Sequence, residues 1–479
     1  MPNARPSHPA QADVSDAEYE HALAFLYDRI NYERLVKGAS RYQFRLQRIA
    51  ELLKRLDLSG YLHDSGRSPQ DRPTVPLVHI AGTKGKGSTA SMVGAILSAS
   101  GLRTGVYTSP HLHDLEERFR VDGQLCSRAE MVSLVERIEP AAEALAKSHG
   151  PASFFELTTA MAILHFHTSG CDAIVLEVGL GGRLDSTNVC WPSVCAVTSI
   201  GLDHQHVLGD TLVEIATEKA GILKARVPVI SGVVDREAAN VVAARADQLN
   251  APLLELGRDF DFAVEADERW GSVLDYRAPS SPDFRCPIAM EGTHQARNAA
   301  IALAICTQLQ GQGVPVTEQA MTVGLSELQC PGRIERFDLP NKVIGIIDAA
   351  HNEDSVGALC DCLQRRAKGQ PVVVVFGTSI DKSAAPMLEL LSSVADHLVL
   401  TRFFSNPRFQ PPDELQSLVP SALESTTRLI EDPVQACESA LEQLQSDDTQ
   451  AGGMLVVCGS FFLAAETRQW MAGKAVANR

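Results

Sequence analysis

Basic charge is what this chain has least of. It carries 43 lysines and arginines against 59 aspartates and glutamates, a formal net charge of −16. A partner built on a phosphate backbone needs a basic footprint, so nucleic acid is disfavoured as a partner. Long apolar runs are also missing. No stretch of 18 apolar residues occurs, and the opening residues hold no basic segment followed by an apolar one. Neither membrane insertion nor export is expected, and the reading is a cytoplasmic protein, with a monomer as the expected state. Paired cysteines are scarce too. The eleven cysteines are odd in number and scattered, with Cys195, Cys306 and Cys458 inside apolar runs. Only Cys360 and Cys362 lie close together, and no second pair stands at zinc spacing. That pattern fits a reducing compartment rather than a disulfide framework.

What is present is a chain of 479 residues, enough for two or three domains with a sizeable core. The Pro-, Ala- and polar-rich start reads as a disordered tail, placed at 1–20. Residues 40–57 read as an amphipathic helix with Phe44, Ile49, Leu52, Leu53 and Leu56 on one face. Residues 63–73 read as a loop, within an insertion at 61–74. From residue 75, apolar strands alternate with helical stretches, the pattern of a parallel α/β fold. The clearest strands are 75–81, 173–178, 194–200, 343–347, 371–377 and 454–458. Pro331-Gly332 precedes a restart of the pattern, so a first domain is placed at 21–328 and a smaller, Rossmann-like α/β domain at 329–479. Residues 258–290, mixed in aromatics, charges and prolines, read as a small β excursion.

The stretch "HIAGTKGKGSTA" (79–90) sits between an apolar run and a small-residue helix. Glycines let backbone N–H groups turn toward an anion, and the following helix adds its positive end. Lys86 can reach outer phosphates and Ser88 can bind magnesium. The general P-loop spacing is not met, because the first glycine would fall on Ile80 and Gly87 separates the lysine from Ser88. A Gly-rich strand-to-helix turn is the bland alternative.

Polar residues end several apolar strands, where ligands collect in open parallel sheets. Glu177 ends "AIVLE", and Asp348 ends "VIGIID". Asp203 and His204 follow "VCAVTSIGL". Glu177 needs a cation, either Arg183 or a metal, and Gly179, Gly181 and Gly182 suggest a close approach. A zinc reading of His204 and His206 fails on spacing. Lys219 lies at the end of a helix with a Thr211/Glu214 capping box and a Gly221 stop, where a cation complementing the helix end is a sufficient reading. Ser153 and Glu156 read as another capping box, Phe154 and Phe155 as packing residues, and Ser109 as a turn residue.

Together "GTKGKGS", "YTSPHL", "FFELTTA", "LEVGLGGRLDSTNV", "IGLDHQHVLGDTLVEIATEKAGILK", "HQARNAA", "PGRIE", "DAAHN", "VFGTSIDK" and "VVCGS" resemble the folylpolyglutamate synthase family, often bifunctional with dihydrofolate synthase, of the Mur ligase superfamily. The match runs from about residue 80 to 460. The resemblance implies a P-loop ATPase domain with a mostly parallel sheet. It also implies a second domain that helps hold glutamate and closes over ATP. It implies ATP, two magnesium sites, L-glutamate, and dihydropteroate or a reduced folate as ligands. It places the phosphate loop on Lys84, Gly85, Lys86, Gly87 and Ser88. Magnesium ligands fall on Ser109, Glu177 and His204, and a carbamylated lysine falls on Lys219. Adenine and linker contacts fall on Asn298 and Arg333, and second-domain ATP contacts on Asp348 and His351. Lys84, Cys330, Ala349 and Glu353 depart from the family pattern. Two alternatives remain at this point, a cell-wall amino-acid ligase and a nucleotide-binding regulator without catalysis.

Overall fold

A computed structural model describes residues 14–29, 46–63, 75–267, 270–279, 281–446 and 452–476. Most of the expected tail, residues 40–45 of the amphipathic helix and residues 64–74 of the insertion lie outside them. One correction falls at the start. A helix, Asp16–Tyr27, occupies part of the stretch read as tail. Ser15 and Glu18 cap it reciprocally, and the Tyr19 hydroxyl donates to Glu116.

Eight strands form the first sheet: β1 (Leu77–Ala81), β2 (Thr104–Tyr107), β3 (Phe119–Val121), β4 (Gln124–Leu125), β5 (Ala173–Glu177), β6 (Val194–Val197), β7 (Val229–Ser231) and β8 (Leu253–Glu255). Their order is β4-β3-β2-β5-β1-β6-β7-β8, parallel except for the β3 and β4 edge. β1, β5 and β6 are buried along their whole length, as apolar strands covered on both faces must be. The helices Lys86–Ala99 and Thr293–Gly311 cover one face, where Val93, Ile96 and Ile301 pack. Leu52, Phe154 and Phe166 pack in a second cluster, and Ala216, Ile222 and Val242 in a third. Each such buried Leu, Ile or Phe contributes roughly 1.5–3 kcal/mol.

The β excursion is an antiparallel sheet of β9 (Asp261–Ala266), β10 (Ser272–Ala278) and β11 (Ser281–Ile288). The second large sheet holds β12 (Glu335–Asp338), β13 (Val343–Ile347), β14 (Val372–Phe376), β15 (His397–Leu400), β16 (Thr427–Leu429) and β17 (Gly453–Cys458). Its order is β12-β13-β17-β14-β15-β16, with β12 antiparallel at one edge. The sheets are joined by a buried ion pair. Arg366 Nη2 lies 2.7 Å from Glu291 Oε2, and the same nitrogen donates to the Gly271 carbonyl at 2.8 Å. The guanidinium also packs on the Trp270 ring, 5.1 Å from its centroid.

Register fixes where polar residues emerge. Ile80 pairs with Glu177, and Ala81 with Val197. The carboxyl ends of β5, β1 and β6 therefore lie side by side, and each continues into a polar loop.

Candidate active site

After β1 the chain turns through Gly82–Gly85 into the helix Lys86–Ala99. The turn requires glycine. Gly82 has φ +154 and Gly85 has φ +83, and a Cβ on either would lie 2.0 Å from Thr198 Oγ1 or 2.2 Å from Asn298 Oδ1. The end of β6 braces the loop. The Lys84 N–H donates to Ser199 Oγ at 2.9 Å, and the Thr198 and Ser199 hydroxyls donate to the Lys84 carbonyl at 2.6 and 3.0 Å. The sequence reading missed both residues; the available signal was a polar pair ending "VCAVTS".

Lys86 and Ser88 occupy the first turn of the helix, where backbone N–H groups lack helical partners. Lys86 Nζ is 3.5 Å from the Thr83 carbonyl, and Ser88 is buried. Lys84 points elsewhere. Its Nζ meets Asp354 Oδ2 at 2.7 Å and Asn352 Oδ1 at 3.1 Å, both at the start of a helix of the second sheet's layer. The loop thus reaches across to the segment after β13.

Glu177 is buried beside this loop, and a Cβ on Gly87 would lie 3.2 Å from its Oε2. It accepts the Ser109 N–H at 2.9 Å. Burial pushes its carboxyl up, opposed by Lys86, the Ser109 N–H, Arg333 and Arg118. The alternative partner is ruled out, because Arg183 pairs with Glu218 at 2.8 Å. Asp185 shapes the intervening glycine loop by accepting the Gly179 and Leu180 N–H groups, each at 3.1 Å.

His204 sits at φ +50 after β6, half exposed, with Nε2 3.9 Å from Asp203 Oδ1. Burial lowers its affinity for a proton, as do Lys86, Lys382 and Lys219, while Asp203 raises it. Lys382 comes from the loop after β14 and was not singled out from the sequence.

Lys219 is not a surface cation. It is 5 % exposed and its Nζ donates to the Gly82 carbonyl at 2.9 Å, so the helix Leu212–Ala220 aims it at the phosphate loop. Burial lowers its pKa to about 7, reinforced by Lys86 and countered by Asp203 and Asp185. The helix does end at Gly221, but with φ −63, so a left-handed stop is not the reason for glycine there. A Cβ on Gly221 would lie 2.3 Å from the Arg183 Cβ; close packing demands the glycine.

The remaining residues line the other side. Asn298 lies against Gly85 and donates to Gln295 Oε1 at 3.0 Å. Asp348 spends its carboxylate on backbone, accepting the Ile334 N–H at 2.7 Å and the Ala350 N–H at 2.8 Å. It thereby fixes the linker that carries Arg333, whose guanidinium packs 5.1 Å from the Phe461 ring centroid. His351 shares that ring at 5.8 Å and bonds the Ala349 carbonyl through Nδ1 at 2.8 Å. Burial lowers its pKa to about 4, so it is neutral at physiological pH.

A glycine loop at the central strand end, a buried carboxylate and a buried lysine beside it, and a second α/β sheet facing them define a Mur-type ligase. Two family descriptions match in chain order, the Mur ligase middle domain over residues 80–306 and the Mur ligase glutamate ligase domain over 332–461. The chain is 32 % identical to the folylpolyglutamate synthase of Lacticaseibacillus casei over 83 % of this chain and 90 % of that one. It is 34 % identical to the dihydrofolate synthase/folylpolyglutamate synthase of Bacillus subtilis, over 69 % and 77 %. The structure of Mycobacterium tuberculosis folylpolyglutamate synthase, complexed with ADP and AMPPCP, superposes with a TM-score of 0.81 at 28 % identity, covering 96 % of this chain and 99 % of that one. The chain belongs to the folylpolyglutamate synthase family and is an ATP-dependent amino-acid ligase.

Proposed function

We propose that the protein joins L-glutamate to the carboxylate of dihydropteroate, of a reduced folate or of a folyl-polyglutamate, consuming ATP. The observation that carries this reading is that Glu177 and Lys219, both buried, each lie against the phosphate loop, Glu177 beside Gly87 and Lys219 on the Gly82 carbonyl.

A carboxylate does not acylate an amine at neutral pH, because its oxyanion is a poor leaving group. Phosphoryl transfer from ATP makes an acyl phosphate, and the glutamate amine then displaces phosphate through a tetrahedral intermediate. Most of the protein's contribution is positioning. The N–H groups around Gly85, Gly87 and Ser88 hold the phosphates, and Lys86 neutralises charge that develops as the phosphoryl group moves. Asn298 and Arg333 would make the adenine and linker contacts. His351 would meet ATP from the second domain, and Asp348 would act there by fixing the Arg333 linker. Lys84 contributes its backbone to the loop, while its ammonium is held by Asp354 and Asn352.

We take magnesium to bind at two positions, and one donor present fits it. Glu177 offers a hard oxygen donor, as this ion requires, next to the phosphate loop. Among the described residues no three His, Cys, Asp or Glu side chains converge, so hydroxyl and phosphate oxygens would complete the shell. Ser88, Ser109, Glu177, His204 and Lys219 as a carbamate would hold the ions, which supply charge neutralisation on the transferring phosphoryl group when bound. Carbamylation fits Lys219 chemically. With a pKa of about 7, much of its amine is uncharged at neutral pH; that form adds CO₂ through a new N–C bond and releases one amine proton to solvent, leaving a carbamate oxygen anion.

The reading places a first domain at 21–328 and a glutamate-ligase domain at 329–479. It takes the protein to be a cytoplasmic monomer acting on small molecules, without nucleic-acid or membrane partners. No helix among the described residues is long and apolar enough to cross a membrane. ADP release tests the reading when dihydropteroate, tetrahydrofolate and glutamate are supplied in turn. ADP should appear in step with amide product only when an acid substrate and glutamate are both present. ADP release indifferent to both would sink it.

A further inference from the structure

Lys219 faces the phosphate loop from the last turn of its helix, and a buried asparagine, itself bonded by a second buried lysine, joins that turn to the glycine loop. Lys224, 9 % exposed, donates through Nζ to Asn188 Oδ1 at 2.6 Å and to the Asn188 carbonyl at 3.2 Å. Asn188, also buried, then directs both amide hydrogens outward from this contact. Its Nδ2 donates to the Arg183 carbonyl at 2.9 Å and to the Gly221 carbonyl at 3.1 Å. The opposite amide orientation would set oxygen against two carbonyls and NH₂ against an ammonium, so only one orientation satisfies the site.

The two carbonyls belong to different elements. Arg183 ends the glycine loop that follows Glu177, and Gly221 closes the helix that carries Lys219. Further contacts join the same two segments. The Arg183 N–H donates to the Glu218 carbonyl at 2.8 Å. A Cβ on Gly182 would lie 2.8 Å from the Glu218 carbonyl oxygen and 3.0 Å from that of Lys219. The segments therefore touch backbone to backbone. The Arg183–Glu218 ion pair joins them at the surface, and Asn188 is a buried side chain that bonds both.

We infer that Asn188, oriented by Lys224, is a positioning residue that sets Lys219 against the phosphate loop, and so governs how readily Lys219 becomes carbamylated. This rests on the carbamate reading of Lys219 given above. Neither Asn188 nor Lys224 is placed in contact with substrate; both act through the backbone.

The test compares full-length wild type with Asn188→Asp and Lys224→Gln. Asn188→Asp keeps an acceptor for Lys224 but turns a carboxylate toward the two carbonyls. Lys224→Gln keeps an amide N–H donor for Asn188 and leaves the two carbonyls facing Asn188 Nδ2, so it is the milder change and serves as the second variant. Carbamate is read directly by ¹³C NMR after equilibration with ¹³C-bicarbonate, alongside thermal unfolding and the bicarbonate dependence of ligation. Asn188→Asp should need roughly tenfold more bicarbonate for half-occupancy, the scale of one lost buried hydrogen bond, with activity recovering at saturating bicarbonate. Lys224→Gln should shift in the same direction by less. A wild-type carbamate signal with unchanged bicarbonate dependence in both variants would overturn the inference alone. Absence of any wild-type carbamate signal would overturn the Lys219 reading and the inference with it.

Discussion

A lysine held at 5 % exposure against a backbone carbonyl is a cost to the fold, and Lys219 makes that cost measurable. Its pKa falls from 10.5 to about 7, so between those values the unfolded chain binds a proton that the native protein does not. Stability should therefore rise with pH across that window, and the penalty should be complete below about 7. In CO₂-free buffer without ligands, Lys219→Met should be more stable than wild type near neutral pH, and the gap should close as pH approaches about 10. Urea midpoints across that range check this; a constant gap would show that the ammonium is not penalised. Lys219→Arg should lose ligation, because arginine cannot take up CO₂. Lys86→Ala should lower ligation turnover about 10²–10³-fold while leaving the unfolding midpoint nearly unchanged. At this scale the charged end of an apolar run marked Glu177, which the structure buries beside the phosphate loop, and Asp348, whose carboxylate it gives to backbone. The sequence was silent on Thr198 and Ser199, whose hydroxyls matter only because β6 lies next to β1. It also offered Arg183 as a partner for Glu177, and the structure turns Arg183 to Glu218 instead.

Among the elements, the helices show how local signals and distant partners divide the work. The Ser153/Glu156 capping box was legible, since both bonds span three residues. The second task of Glu156 was not. It pairs with Arg48 Nη2 at 2.7 Å, 108 positions away in sequence, with both side chains buried. Arg48→Met should leave that carboxylate unpaired and cost about 3–5 kcal/mol, and Arg48→Met with Glu156→Gln together should recover much of the loss. Chemical denaturation of the single and double variants measures both; equal losses would mean the ion pair is not what ties these helices. The Asp16–Tyr27 helix went unread because its Ser15/Glu18 box lies beside a Pro- and Ala-rich start. The phosphate turn makes its own prediction. Gly85→Ala would press a methyl into the Asn298 side chain at φ +83, so nucleotide affinity should fall sharply. Calorimetry with ADP would show it, and unaltered affinity would mean the loop tolerates a different path.

For the molecule as a whole, two α/β layers meet over the strand ends that carry the site. The alternation of strands and helices made both layers legible, because parallel strands buried on two faces must be apolar throughout. The way the layers meet was not legible. The Arg366–Glu291 pair and the Lys84 contacts to Asn352 and Asp354 join residues far apart in sequence, and no periodicity marks them. A fragment ending at residue 328 lacks Arg333, Asp348 and His351. It should retain nucleotide binding measurable by calorimetry yet form no amide; ligation by that fragment would show the second layer to be dispensable. The central claim is that ATP activates an acid by phosphorylating it before glutamate attacks. Dihydropteroate labelled with ¹⁸O in its carboxylate tests this most directly, incubated with the full-length protein, ATP, magnesium and L-glutamate. Phosphate should be released in step with amide, each phosphate carrying one oxygen from the labelled carboxylate. Amide formed with unlabelled phosphate would contradict it.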